Sequence, residues 1–248
     1  TFCFVAHLDH PGMANDDLAG LGVGVALFKI LQKQKLKFSY ELIVVPEIIG
    51  SEYYLSHAKD RSQLFESCFL EMLGTKTPLA LQRSYRGSYL EEKLIETLHE
   101  LNISFRTGEF RSIICNDENV FESHGIAMSS LSRFPYKEYH SSKDDLSIID
   151  DASIKQSVDV LLKTINKIEQ STFVEKKFEG VIGTAHPSIN LYVDVGQRAY
   201  GSLAQREIQQ SRQLMDLIMI QPKCFILEPL IESLKMDFTK AIDYLKKW

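Results

Sequence analysis

Thr1-Phe2-Cys3-Phe4-Val5-Ala6-His7-Leu8-Asp9-His10-Pro11-Gly12-Met13-Ala14-Asn15-Asp16-Asp17-Leu18-Ala19-Gly20 opens the chain, and its reading decides the fold class. The first six residues are apolar and β-favouring, the composition of a strand covered on both faces. A polar loop with Pro11 and Gly12 follows. From Asp16 to Gln34 the apolar residues Leu18, Leu21, Val25, Phe28 and Leu31 recur at helical spacing. A buried strand, a loop dense in ionisable groups and a helix together begin an α/β sheet, in which ligands gather beyond the carboxyl ends of the strands. Gly20, Gly22 and Gly24 each cost a helix about 1 kcal/mol relative to alanine, which close packing of its first turns on the sheet would offset. Their spacing is not G-x-G-x-x-G, so a dinucleotide site gains no support. Because a domain rarely begins in mid-sheet, an N-terminal portion is expected to precede Thr1.

The same alternation continues downstream. Phe38 to Val45, Ser67 to Leu73, Ile113 to Cys115 and Ile126 to Leu131 read as strands. Glu47 to Leu55, Glu91 to Leu101 and Ser153 to Ile168 read as helices, and Ser132 to Asp145 as a loop. Strands alternating with helices imply a mixed, mostly parallel sheet between two helical layers. Past residue 172 a turn-rich stretch, Gly180 to Gly201, leads to helical patterns at Gln205 to Ile220, Leu227 to Leu234 and Asp237 to Trp248. We therefore expect an α/β domain over 1–172 and a small, mainly helical domain over 173–248.

Of the 248 residues, 44% are hydrophobic and 25% charged, an ordinary composition for a domain with a sizeable core. The net charge of −5 argues against a nucleic-acid-binding chain. From 173 onward ten Lys and Arg face nine Asp and Glu, a net of about +1 that makes no basic face. No apolar run nears the ~20 residues that span a bilayer. Cys3, Cys68, Cys115 and Cys224 are scattered, without a C-x-x-C pair, and read as buried free thiols of a cytoplasmic protein.

Several predicted strand ends carry potential metal ligands. His7, Asp9 and His10 follow the first, Glu47 follows the second, Glu71 lies within the third, and His140 sits in the late loop. Imidazole and carboxylate without thiolate suit a catalytic zinc site with an open water position. Each residue also has an ordinary structural reading. Asp16 and Asp17 stand where helix caps stand, and Glu47 could favour a helix dipole. Yet two adjacent aspartates exceed what a cap needs, and Glu71 in an apolar strand requires a metal or a cationic partner.

Taken together these segments resemble the co-catalytic zinc aminopeptidases of the leucyl aminopeptidase and glutaminyl cyclase group. Ala6-His7-Leu8-Asp9 with Asn15-Asp16-Asp17-Leu18-Ala19-Gly20 is similar to their H-x-D and N-D-[DN]-x-[SA]-G pair. Pro46-Glu47-Ile48-Ile49-Gly50-Ser51 resembles E-E-x-G-x-x-G-S, and Phe69-Leu70-Glu71-Met72-Leu73-Gly74 resembles N-L-D-M-x-G. Asp117-Glu118 through Phe121 to Gly125-Ile126 is similar to S-D-H-x-x-F-x-x-x-G-I-P, and Tyr139-His140-Ser141-Ser142-Lys143-Asp144-Asp145 to Y-H-[ST]-x-x-D. The motifs keep the family's order across roughly residues 1 to 170. A bacterial aminopeptidase-like family associated with polysaccharide biosynthesis is more similar still, through C-H-P-S-M-A-N-D-N-L-S-G and V-P-E-T-I-G-S. It ends in a winged-helix-like domain that residues 173–248 resemble at Arg212-Gln213-Leu214-Met215-Asp216 and Ala241-Ile242-Asp243-Tyr244-Leu245.

The resemblance implies a three-layer αβα zinc-exopeptidase-like domain holding one or two zinc ions. Asp16 would bridge the metals, with His140 and Glu71 as further ligands. His7, with Asp9 orienting it, and His10 compete for one place. Pro46 stands where the aminopeptidases carry their general base, which leaves Glu47 and Glu118 as candidates for that work. The function implied is a zinc-dependent hydrolase of a peptide or amide bond, acting on a small peptide or other amino-containing substrate. The alternative is a catalytically weak or inactive metal- or metabolite-binding protein. Neither nucleic acid nor a membrane is an expected partner, and a homo-oligomer is open.

Overall fold

A computed structural model describes residues 1–58, 61–187, 189 and 203–246. Contacts divide the chain into two compact units, Thr1–Gln170 and Ser171–Trp248.

The first unit is built on six strands: β1 (Phe2–His7), β2 (Tyr40–Val45), β3 (Glu66–Glu71), β4 (Leu79–Gln82), β5 (Phe105–Gly108) and β6 (Ala127–Ser132). Their spatial order is β2-β1-β3-β6-β4-β5. All adjacent pairs are parallel except β4 with β6. The helices are α1 (Gly20–Leu31), α2 (Ile49–His57), α3 (Tyr89–Glu100), α4 (Glu118–Ser123) and α5 (Asp151–Ile168). Alternating side chains separate the two faces of the sheet. Cys3, Val5, Ile43, Phe69 and Met128 pack with Leu55 of α2 and with Val120 and Phe121 of α4. On the other face Phe4 meets Phe28 of α1 edge-on, and α1 and α3 both pack on α5. The result is an αβα sandwich in which every residue of β1 and β3 is buried.

The helix expected from Asp16 begins only at Gly20. Ala14–Ala19 is a kinked turn with non-helical angles at Asp16 and Asp17 and a cis peptide between them. The close packing expected of the glycines holds at two of three. A Cβ on Gly20 would lie 2.3 Å from the Leu70 carbonyl oxygen, and one on Gly24 2.8 Å from Leu42 Cδ1, whereas Gly22 has open space. Ile113 to Cys115 is not a strand: the amides of Ile113 and Ile114 both donate to the Gln82 side chain instead of a ladder. The strands β4 and β5 and the short α4 carry too little periodicity to be read. Of the cysteines, Cys3 and Cys68 are buried as expected, but Cys115 is exposed and Cys224 half-buried.

In the second unit β7 (Phe173–Glu175) pairs antiparallel with β8 (Cys224–Ile226). Helices α6 (Leu203–Ile220), α7 (Glu228–Leu234) and α8 (Phe238–Leu245) enclose a core of Leu214, Ile218, Phe225, Leu227 and Ala241. Residues 188 and 190–201 of the turn-rich stretch, with 202 and the closing 247–248, lie outside the described residues. Among the described residues no helix is long and apolar enough to cross a membrane.

Candidate metal centre

Because β1, β2, β3 and β6 run parallel, their carboxyl ends release His7, Glu47, Glu71 and the late loop on one side of the sheet. The kinked turn is fixed there by its own carboxylates. Asp17 accepts from the backbone N–H of His7 (3.1 Å), Met72 (2.9 Å) and Gly20 (3.1 Å), which ties β1, β3 and α1 to one side chain. Asn15 accepts from Gly74 N–H at 2.8 Å. Asp144 completes the frame. It accepts from the amides of Ala14, Asn15 and Asp16 and from the Tyr136 hydroxyl.

This frame brings His10, Asp16 and His140 together, with one donor atom from each lying within 4.8 Å of the others. His140 Nε2 is 3.1 Å from Asp16 Oδ2. His10 Nε2 is 3.6 Å from Glu47 Oε2, and its Nδ1 is 3.0 Å from Asp9 Oδ1. The imidazole of His140 stacks on Tyr139 at 3.8 Å between centroids and faces His10 at 5.7 Å. His7 lies deeper. Its Nε2 is 2.5 Å from Asp117 Oδ2, both side chains are fully buried, and its Nδ1 has no hydrogen-bond partner. With Asp9 and His10 it forms a second group of donors within 4.8 Å. The loop thus sets His10, not His7, beside Asp16 and His140.

Glu71 is buried at the end of β3. Its Oε1 accepts from the Asn116 amide, while Oε2 is buried with no hydrogen-bond partner. Burial pushes its pKa well above the usual carboxylate range, and the charges of Glu118, Asp17, Asp16 and Glu47 push it further. Burial likewise raises Asp16, against the pull of His10 and His140. It takes Asp17 to about 8 despite the amides of Met72 and His7. For His7 burial alone lowers the pKa, but the bond to Asp117 and its charge outweigh that and raise it. Glu118 is also buried, pushed up to about 7 by desolvation. Both its oxygens are engaged, by Gln82 Nε2 at 3.0 Å and by the Asn116 backbone N–H at 2.9 Å.

The donor set fits a divalent cation. Asp9, Glu47 and Asp16 lie beside the imidazoles of His10 and His140, and Glu71, which belongs to neither donor group, has an unpartnered buried oxygen that is costly without a counter-charge. Three non-glycine residues with left-handed backbone flank the candidate ligands: Ile48 (φ 57°), Met72 (φ 52°) and His140 itself (φ 51°). Such residues cluster at functional sites. Asp144, Asn116 and Asp117 escaped the sequence reading as site residues, although each lies in or beside a motif segment. Their side chains touch other donors and acceptors of the site, which spacing alone does not reveal.

The sheet and its carboxyl-end site define an α/β protein with the fold of the bacterial aminopeptidases. A Bacillus subtilis zinc aminopeptidase superposes with a TM-score of 0.60 at 17% identity, over 69% of this chain and 46% of that one. A glutaminyl cyclase from an Acidobacteriales bacterium gives 0.56 at 15%, over 68% and 69%. The crystal structure of a candidate peptidase from Clostridium acetobutylicum gives 0.66 at 23% identity, over 99% of this chain and 56% of that one. Residues 1–171 match a family model, and the chain belongs to that family, Domain of unknown function (DUF4910). A curated relative from Clostridium acetobutylicum, named as a polysaccharide biosynthesis protein with an aminopeptidase-like domain, is 28% identical over 170 residues. That match takes in 65% of this chain and 38% of the relative.

Proposed function

We propose that the Thr1–Gln170 unit is the metal-binding core of a zinc-dependent aminopeptidase-like hydrolase of a peptide or amide bond. The observation that carries this reading is the convergence of His10, Asp16 and His140 within 4.8 Å, with Glu47 beside His10 and a buried, unpartnered oxygen of Glu71 at the end of β3. In this reading Asp16, His10, His140 and Glu71 hold the first ion, and His7 adds a donor toward a second. Bound zinc supplies Lewis-acid polarisation of a carbonyl and a lowered pKa for water. The chain's own residues orient the donors: Asp9 contacts His10, Tyr139 stacks on His140, and Asp144 holds the turn of Asp16. Glu47 is a partly exposed carboxylate at the site, as is Asp9, and is our candidate to carry a proton to the leaving amine. The amino group of a small peptide is the substrate feature that an acidic site of this kind favours.

A second reading, a metal- or metabolite-binding protein without turnover that serves polysaccharide biosynthesis, rests on a specific observation. Pro46 occupies the place of the aminopeptidase base, and Glu118 is buried with both oxygens engaged. Glu47 is then asked to be both ligand and base. General acid–base help is worth roughly 10²–10⁴ in rate, so its loss separates an enzyme from a binder.

Elemental analysis of protein purified without chelators tests the site, with Asp16→Ala and His140→Ala alongside. One or two zinc per chain in the wild type, lost in both variants, is the expected result. A zinc-free wild type refutes the metal reading. Hydrolysis of aminoacyl anilides that persists in Glu47→Gln removes that residue as proton carrier, and hydrolysis absent from zinc-loaded wild type favours the second reading.

A further inference from the structure

Glu71 owes its single free oxygen to one neighbour. Asn116 is 7% exposed, and its Nδ2 donates to Glu71 Oε1. Asn116 is itself held on both sides. Its backbone N–H donates to Glu118 Oε2 at 2.9 Å, and its carbonyl accepts from Asn119 Nδ2 at 3.0 Å. Glu118 Oε1 accepts from Gln82 Nε2 at 3.0 Å. Gln82, at the end of β4, is fixed in turn because its Oε1 accepts from the amides of Ile113 (2.8 Å) and Ile114 (3.1 Å). An ordered chain of donors and acceptors therefore runs from β4 through Gln82, Glu118 and Asn116 to the carboxylate at the end of β3. The last donor is neutral. A lysine or arginine in that place would cancel the Glu71 charge, whereas a carboxamide fixes the geometry and leaves the charge for a cation.

We propose that Asn116 is a positioning residue for Glu71, holding one carboxylate oxygen so that the other is presented as a one-point ligand, and that Glu118 serves to hold Asn116. This inference rests on the reading of Glu71 as a metal ligand. Groups that orient first ligands typically matter by about 10–100-fold in metal affinity, and that range sets the expectation.

The test is zinc affinity by competition with a chromophoric chelator, using the full chain, wild type against Asn116→Leu and Asn116→Ala. Leucine keeps the volume and removes the donor; alanine removes both. A packing role predicts that leucine behaves as wild type, whereas positioning predicts that both variants weaken zinc by about 10–100-fold with metal-free melting temperatures close to wild type. Wild-type affinity in Asn116→Leu overturns the inference and leaves the metal site standing. A wild type that binds no zinc instead sinks the site reading, and the inference with it. Should the metal-free variants melt early, the cobalt(II) absorption bands of the loaded proteins decide. Shifted bands in both variants support a moved ligand, and bands identical to wild type overturn it.

Discussion

The Asp144→Asn substitution changes one oxygen to an NH2 group and leaves the shape of the side chain intact. Asp144 is buried and takes four donors: Ala14 N–H at 3.1 Å and Asn15 N–H at 2.6 Å on one oxygen, Asp16 N–H at 3.3 Å and the Tyr136 hydroxyl at 2.6 Å on the other. The hydroxyl can turn to accept, but backbone amides cannot. Whichever oxygen becomes NH2, at least one peptide N–H then points at another donor. A buried unsatisfied donor costs about 1–3 kcal/mol, and losing the charge-assisted part of the surviving bonds costs about 1 kcal/mol more. The sum is about 3 kcal/mol, which at roughly 2–4 °C per kcal/mol for a chain of this size lowers the melting temperature by about 6–12 °C. Circular dichroism of the metal-free protein at one fixed pH reads this directly. Tyr136→Phe removes one donor and leaves three amides satisfied, so it should cost about 1.5 kcal/mol, the low end for a bond to a charged group and less than Asp144→Asn. An Asp144→Asn protein that melts within 2 °C of wild type, or a Tyr136→Phe protein that melts lower than it, would refute the view that this carboxylate ties the Asp16 turn to the His140 loop.

Glu66 gives a pH dependence. Burial raises it to about 7 although the Leu90 and Tyr89 amides pull it down; with the folded pKa above the unfolded value, its contribution is full below about 4.5 and is lost as pH rises through about 7. Stability should fall across that window, by at most about 1.4 kcal/mol per pH unit from this group, and the fall should shrink in Glu66→Gln; equal slopes in the two proteins would show that Glu66 does not titrate there. Thiol labelling of the native protein should modify Cys115, which is exposed, well before Cys3 and Cys68, whose thiols burial pushes up to about 12; rapid labelling of Cys3 by mass mapping contradicts this. Gly22→Ala has open space and should stabilise by up to about 1 kcal/mol, whereas Gly20→Ala meets the Leu70 carbonyl and should destabilise by about 1–3 kcal/mol or more; denaturant unfolding of the pair should show opposite signs.

What the sequence disclosed depended on period and length. β1 and the inner residues of β2 and β3 are apolar runs with helices between them, so the parallel core was legible there, while β6 (Ala127–Ser132), half of it serine, was betrayed by Ile126, Met128 and Leu131. β4 and β5 are four residues each, too short to show alternation, and β4 owes its place to an antiparallel pairing with β6 that no local signal announces. The site divides in the same way. His10, Asp16, Glu71 and His140 could be named because each sits at a strand end or in a motif. The choice between His7 and His10 depended on the path of the loop over Pro11 and Gly12, which brings His10 to Asp16 and leaves His7 against Asp117. Asp144 and Asn116 were invisible because their importance lies in hydrogen bonds across 128 and 45 residues of chain.

Three of the six non-glycine residues with positive φ among the described residues fall beside the candidate ligands, and that placement has a physical consequence. Ile48, Met72 and His140 each adopt left-handed backbone immediately after, or at, a candidate ligand, at about 1–3 kcal/mol apiece. In the same few ångströms Asp16, Asp17, Glu71 and Glu118 are all nearly inaccessible to solvent. Their partners are backbone amides, carboxamides and imidazoles, which fix position without supplying a full compensating charge. A fold optimised only for stability would relax these turns and replace the inner carboxylates with apolar groups, since buried ionic groups seldom repay their desolvation. Retaining both makes sense when a cation supplies the missing charge and the strained turns hold its ligands in place beforehand. The same reasoning explains why Glu118 need not be catalytic to be acidic. Its two oxygens receive two N–H donors whose positions define Asn116 and, through it, Glu71. In the proposed reading the departure at Pro46 would touch proton transfer alone, while the candidate metal ligands His10, Asp16 and His140 lie together whatever residue stands at that position.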